Sequence, residues 1–366
     1  MLAVVLAGGY SQEDTGILRA MRKVAHAALF DLIERLLAAE GVAPVLLSDQ
    51  EDLLAEADRL GCRVRRTERP FSWLGEVQKA VQAETRTADE AVLVLGGCAA
   101  PFLTKTHVES LRKLAKPGTV WQNNRLSPDL VLFAPGRAVF DVERCANDNE
   151  FGYALERQAG LAVAYLPREL AYAFDVDTPM DALLAALHPE AGERLRAAAG
   201  EIEHRVRLQE ALEVLRRADY PDVALLGRVH PVEAERFGQA AHVRLRLHSE
   251  ERGMKALGRI ERGEVRSLIA SYAEAVGWKG FFAGVAEGAQ CVFFDTRVVW
   301  AHQRAAYSEG DRFAADLLLP EQVVDPVLRK MVEAAMEAPV PVLMGGQSLV
   351  AGGLRLLAKA ARGVDL

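Results

Sequence analysis

Two stretches of the chain carry residues whose types and spacing suit phosphate chemistry. In "VVLAGGYSQE", residues 4–13, an apolar run leads straight into Ala7, Gly8 and Gly9. A chain that turns on small residues at a strand end can aim backbone N–H groups at an anion. The same glycine pair is also an ordinary strand exit, because glycine tolerates backbone angles that other residues resist. In "DVDTPMD", residues 175–181, Asp175 and Asp177 lie two apart and share a face if the segment is extended. Carboxylates in this arrangement suit Mg2+, which takes one or two of them and keeps several waters. Asp177 or Thr178 ahead of Pro179 reads equally well as a helix N-cap. Lys23 falls at the head of a helix pattern, where a solvated side chain is the ordinary reading.

The second half has candidates of its own. In "HVRLRLHSE", residues 242–250, His242, Arg244, Arg246 and His248 alternate with Val243, Leu245 and Leu247. Alternation puts the polar side chains on one face of a strand, as a wet sheet face or an anion platform. In "CVFFDTRVVWAHQR", residues 291–304, Asp295, Arg297 and His302 interrupt an apolar run, and Asp295 and Arg297 share a face as a buried ion pair or a polar site. In "VPVLMGGQSLV", residues 340–350, a strand pattern runs into Gly345 and Gly346, with Ser348 at the start of a helix pattern. That is a second place where helix N-terminal amides could hold a phosphate or carboxylate, or a tight turn capped by Gln347 or Ser348.

These residues need elements to position them. Strand patterns at 2–6, 44–48, 62–65, 91–95, 119–121, 130–134 and 161–166 alternate with helix patterns at 24–39, 51–60, 74–83 and 104–114. Strand–helix alternation predicts a mainly parallel sheet covered on both faces, with ligands beyond the carboxyl ends of its strands. From 190 the composition turns to a long helix pattern, 193–217, with Glu and Arg mixed along it. A second alternating region follows from about 220. The expected organisation is therefore an α/β chain: a Rossmann-like three-layer domain over 1–189, a helical linker over 190–219, and a second α/β or α+β domain over 220–366.

Composition narrows the function. The chain has 366 residues and a formal charge of −7, which argues against holding nucleic acid through a broad basic surface. Cys62, Cys98, Cys145 and Cys291 are far apart with no C-x-x-C pair, so neither a zinc site nor a disulfide framework is expected. No apolar run approaches the roughly 20 residues that span a bilayer, and Met1 leads into a strand pattern without a basic segment, so the expectation is a cytoplasmic protein away from membranes.

Taken together, residues 2–187 resemble the MobA-like nucleotidyltransferases, a family that includes molybdenum-cofactor and phospholactate guanylyltransferases. "VVLAGG" is similar to the family's nucleotide loop, "GVAPVLLSDQEDLLAEADRLGCRV" to its second strand–helix–strand unit, and "AVLVLGGCAAPFLTKTHVESL" to the strand that ends near a metal ligand. "SPDLVLFAPG" resembles the strand that faces the acceptor, and "FDVDTPMDALLA" the family's closing D-x-D/N-T-P-x-D segment. The resemblance implies a Rossmann-like sheet and transfer of a nucleotide from an NTP to a small phosphorylated acceptor, with release of pyrophosphate. It implies Leu6, Ala7, Gly8, Gly9 and Gly75 at the nucleotide, Lys23 and Asp177 as catalytic groups, and Mg2+ on Asp177 and Asp175. "LGGCAAP" has no acidic residue where the family has its first metal ligand, so another carboxylate, such as Glu13 or Asp14, would have to reach that place.

Two functions are expected from this reading. The first is nucleotidyl transfer, with a nucleotide, a small phosphorylated molecule and Mg2+ as partners. The alternative is a degenerate transferase domain that serves as nucleotide-binding or structural scaffold for an enzyme or assembly module in the second half. There the anion-site candidates are Arg246, His248, Asp295, Arg297, His302, Gly345, Gly346 and Ser348. A purely structural, homo-oligomeric protein would need neither site.

Overall fold

The computed structural model describes residues 1–9, 14–125, 127–145, 148–255, 257–346 and 348–364. Glu13 and Gln347 lie outside them. The chain divides into two compact units: residues 1–10, 23–176 and 190–195 form the first, and 11–22, 177–189 and 196–366 the second.

The first unit is built on a seven-stranded sheet of β1 (Leu2–Leu6), β2 (Ala43–Ser48), β3 (Arg63–Arg66), β4 (Val92–Gly96), β5 (Thr119–Gln122), β6 (Leu130–Ala134) and β7 (Ala162–Tyr165). Its order is β3-β2-β1-β4-β6-β5-β7; β6 runs antiparallel to both its neighbours and the other pairings are parallel. The central strands are apolar throughout because both faces are covered. Ala3, Val5, Leu46, Leu93 and Leu95 enter one core with the helix Gly16–Ala38, while Leu2, Val4, Val45, Val92 and Val94 enter the other with the helix Trp73–Glu84. Sequence patterning anticipated this mixed α/β sheet.

The second unit has a four-stranded parallel sheet of β8 (Asp222–Gly227), β9 (Arg244–Ser249), β10 (Cys291–Phe294) and β11 (Val342–Met344), in the order β11-β10-β8-β9. β8 and β10 are buried along nearly their whole length. Helices Pro231–Ala240 and Gly353–Arg362 are joined by a buried bidentate ion pair, with Arg355 Nε and Nη2 each 2.6 Å from a Glu233 carboxylate oxygen.

The expected boundaries at 189 and 219 need correction. The chain changes unit between Val176 and Asp177, because the helix Pro179–Ala185 is buried on every residue within the second unit. The Ser348 N–H donates to Asp181 Oδ1 at 2.9 Å, and Leu184 Cδ1 is 2.7 Å from where a Cβ on Gly353 would lie. Conversely, 190–195 joins the first unit: Leu195 N–H donates to Asp31 Oδ2 at 2.9 Å, and Arg194 makes two 2.6 Å bonds to Glu34. The long helix expected over 193–217 is two, Glu193–Gly200 and Leu208–Arg216, with 201–207 between them.

Candidate functional site

Each sheet has one place where successive strands leave in opposite directions. In such a sheet ligands sit beyond the carboxyl ends of the strands at that crossover. In the first unit it falls between β1 and β4, and in the second between β8 and β10.

At the end of β1 the chain passes through Gly8 at φ 150° and Gly9 at φ 71°. Both glycines are exposed, and neither N–H makes a hydrogen bond to another described residue. The amides on either side are committed: Ala7 N–H donates to Leu47 O, and Gly97 N–H to Leu6 O. Of the loop residues expected at a nucleotide, Gly8 and Gly9 are therefore the ones with accessible amides. A Cβ on Gly8 would lie 2.7 Å from Asp49 Oδ1, so that carboxylate at the end of β2 stands directly beside the loop. Sequence reasoning passed over Asp49, although an acid one residue beyond a strand end was a readable signal. Gly75 has a local role: its N–H donates to Ser72 Oγ, the cap of the helix Trp73–Glu84. Lys23 is an exposed residue of the helix Gly16–Ala38.

Beyond β4, Ala99 forms an antiparallel bridge with Asp175, and Val176 N–H donates to Cys98 O. The segment that carries Asp175, half-buried, is thus tied to the loop that lacks an acid of its own. Among the described residues no group of three or more His, Cys, Asp or Glu side chains is arranged to hold a metal. Mg2+ asks for less than such a cage, and a single carboxylate with the rest of the shell as water suits it. Asp14 is engaged by Arg19 at 2.9 Å and Arg22 at 2.6 Å.

In the second unit the crossover is crowded with charge. β8 ends at Gly227, φ 93°, where a Cβ would lie 2.1 Å from the Asp295 carbonyl oxygen; only glycine lets the two strand ends close this tightly. Asp295, at the end of β10 and 1% exposed, accepts from Arg228 Nε at 3.0 Å and from the Arg297 N–H at 3.1 Å. Arg228 Nη2 also donates to Gly346 O at 3.0 Å, joining the ends of β8, β10 and β11. Burial pushes the Asp295 carboxyl up to about 6 against the opposing pull of Arg228 and Arg252.

A cleft of about 300 Å3 opens beside this cluster, lined in part by Asp177, Arg297, Trp300, Glu309, Arg312 and Asp316. Asp316 is 2% exposed, and burial holds its carboxyl well above the ordinary carboxylate range, with the charges of Asp181 and Asp295 adding to the effect. Gly346 N–H serves one of its oxygens, while Oδ1 has no hydrogen-bond partner. Trp300 Nε1, Arg312 Nε and Thr296 Oγ1 are likewise buried without partners. Each such group costs about 1–3 kcal/mol in a folded protein. Asp181, by contrast, is satisfied: it accepts from Thr178 N–H, Thr178 Oγ1 and Ser348 N–H, and burial, helped by Asp177, lifts it to about 7. Thr178, not Asp177, caps the helix Pro179–Ala185.

The second-half candidates thus separate. Asp295, Arg297, Gly345, Gly346 and Ser348 gather at the carboxyl ends of β10 and β11. Asp295 and Arg297 do so by a strand-to-helix turn, since the helix Arg297–Gln303 starts where a continued strand was expected. Arg246 instead pairs with Asp222 at 3.0 Å, a residue that opens β8. His242 lies outside β9 at φ 53°, so the expected four-residue polar face is shorter than the pattern suggested; His248 lies in β9, the edge strand, and is exposed. His302 Nδ1 accepts the Ser267 N–H at 3.0 Å, helping Glu250 fix the start of the helix Leu268–Gly288. Ser348 does not open a helix directly; the next one is Gly353–Arg362. Arg228, Arg312, Trp300 and Asp316 were missed, because single residues inside ordinary helix and turn patterns carry no local signal.

No family model matches the sequence, and no curated protein matches it. Among solved structures, the chain is similar to a nucleotidyl transferase from Methanothermobacter thermautotroptrophicus, at 14% identity over 48% of this chain and 91% of that one, with a TM-score of 0.36. It is similar to a cytidylyltransferase from Leptospira borgpetersenii at 16% identity, 53% and 90% coverage and a TM-score of 0.36. It is also similar to a 4-diphosphocytidyl-2C-methyl-D-erythritol synthase from Anaerococcus prevotii at 12% identity, 54% and 94% coverage and a TM-score of 0.35.

Proposed function

We propose that the first unit is a nucleotidyltransferase that moves a nucleotide from an NTP to a small phosphorylated acceptor and releases pyrophosphate. The observation that carries this reading is the β1 loop, where the accessible N–H groups of Gly8 and Gly9 stand at the sheet's crossover. The resemblance of the segments around it to MobA-like enzymes supplies the reaction. An attacking oxygen must approach a phosphorus ringed by negative oxygens, so catalysis is mainly positioning and neutralisation of charge. Gly8 and Gly9 donate to the phosphates, and Lys23 supplies positive charge from the helix Gly16–Ala38. Mg2+ held through Asp175, when bound, supplies the remaining neutralisation. Asp177 lines the cleft of the second unit, so the metal assignment in the first rests on Asp175. Asp49 stands beside the phosphate seat and favours a ligand whose charge is already reduced by the metal.

The test is a thermal-shift panel of GTP, CTP, ATP and UTP, with and without Mg2+, on the wild type, Gly9→Val and Asp175→Asn. A ligand that binds only the native state raises its stability. One nucleotide should raise Tm in a Mg2+-dependent way, Asp175→Asn should lose that dependence, and Gly9→Val should lose the shift. Absence of a shift with every nucleotide at millimolar concentration overturns the reading. It would favour the second one, an inactive first unit that serves as scaffold for the second, to which the unpartnered polar groups around the second unit's cleft lend weight.

A further inference from the structure

Within the second unit, four of the buried polar atoms without a partner among the described residues lie on or next to the lining of one cleft; a fifth, Arg362 Nε, does not. Asp316 Oδ1, Trp300 Nε1 and Arg312 Nε belong to residues that line it, and Thr296 is the neighbour in sequence of lining residue Arg297. Buried polar groups are almost always paired, so unpaired ones on residues that line a cleft single it out as a candidate ligand site. Its volume, about 300 Å3, is at the lower end for ligand pockets and suits a small metabolite.

The chemistry of the complement is specific. The Trp300 indole N–H and the Arg312 Nε–H can only donate, so the ligand must bring acceptors. Guanidinium groups present planar forks of donors that match carboxylate and phosphate oxygens, and both Arg297 and Arg312 reach this cleft. Asp316, Asp177 and Glu309 bring carboxyl oxygens to the cleft, and hydroxyl groups, which both donate and accept, are the partners that suit them. Arg228 helps define the anion's place. It holds Asp295 at 2.9 Å, at the end of β10 next to the turn that carries Arg297. The faces of Trp300 and Phe313 add apolar surface against which a carbon skeleton can lie.

We propose that this cleft binds a small anion bearing hydroxyl groups, either a sugar phosphate or a hydroxy acid, with Arg312 and Arg297 on the anionic group and Asp316 and Glu309 on the hydroxyls. This site lies wholly within the second unit and does not depend on nucleotide binding by the first.

The test uses the full chain and calorimetric titration with ribose 5-phosphate, glycerate, ribose and inorganic phosphate, with tryptophan fluorescence as a second readout. Ribose 5-phosphate or glycerate should bind at least about tenfold more tightly than ribose and inorganic phosphate, and the tighter of the two names the source of the anion. Arg312→Gln and Asp316→Asn should each weaken that binding by at least about tenfold, and Trp300→Phe should abolish the fluorescence change. Asp316 is buried and its replacement risks misfolding, so Glu309→Gln at the rim gives the same test of hydroxyl recognition. Equal affinity for inorganic phosphate, binding untouched by Arg312→Gln and Glu309→Gln, or no binding of any probe at millimolar concentration each overturns the proposal.

Discussion

The two crossovers solve the same topological problem with opposite materials. At β1 and β4 the strand ends are glycine, alanine and cysteine; the acidic groups nearby are Asp49, paired with Arg69 at 3.7 Å, and Asp175. At β8 and β10 the ends hold Arg228, Asp295 and Arg297 in mutual contact, with a cleft that adds Arg312 and Asp316. A site that offers backbone amides binds an anion without committing net charge and depends on a metal to finish neutralisation. A site that carries its own arginines does not need one, but it pays for burial of the carboxylates that hold them in place. Burial of this kind goes with the raised carboxyl groups of the second unit, Asp181, Asp295 and Asp316.

The contrast can be broken most forcefully at the buried ion pair of the second unit. Glu233→Gln or Arg355→Met leaves one buried charge without its partner and should destabilise the second unit by about 3–5 kcal/mol, read by urea denaturation. The double replacement Glu233→Met with Arg355→Leu should recover most of that loss. If the single and double variants are equally unstable, the pair is not what holds the two helices.

Glycine replacements compare the strand ends directly. Gly227→Ala forces a Cβ to within 2.1 Å of the Asp295 carbonyl oxygen at a positive φ and should cost at least about 3 kcal/mol. Gly9→Ala meets open space and bears only the backbone strain, about 1–2 kcal/mol. Thermal denaturation that ranks them the other way would mean the β8–β10 junction is looser than its geometry.

The response to pH sharpens the comparison further. Burial raises the folded carboxyl of Asp295 from its ordinary value of 3.8 to about 6, so the folded state binds its proton more tightly than the unfolded chain does. This contribution to stability is fully present below 3.8 and is lost as pH rises through about 6, an effect on the order of 2 kcal/mol. Asp295→Asn should flatten the dependence of Tm on pH between 4 and 6. The smallest effect is expected at the caps: Thr178→Ala in the second unit and Thr104→Ala in the first each remove a capping box and should each cost about 1 kcal/mol by the same measurement.

Much of the first unit was legible before folding was considered. Its central strands β1, β2 and β4 are five or six mostly apolar residues bounded by turns, and alternation of such runs with amphipathic helices leaves little besides a covered, mainly parallel sheet. Gly8 and Gly9 were legible for the same reason, since a strand that must turn on a parallel edge announces itself locally. The second site was legible only in part. Asp295, Arg297 and Gly346 interrupt apolar runs and so stand out, but Arg228, Arg312 and Asp316 sit in polar helix and turn sequences where a charged residue is unremarked. The boundary at Val176 was hidden because "DVDTPMDALLA" is apolar enough to fit a core in either unit.

The sequence by itself determined most of the strands and helices of the first unit, where the sheets' glycine turns fall, and that the chain is built from alternating α/β elements. These are set by periodicity and by the backbone freedom of single residues, which act over a few positions. Only the tertiary structure decided that β8 and β10 lie side by side, that 177–189 belongs with the second unit, and that Asp316, Arg312 and Trp300 face one cleft. Contacts between residues separated by tens to hundreds of positions depend on how whole faces pack, and no local pattern encodes which buried polar atom is left to meet a ligand.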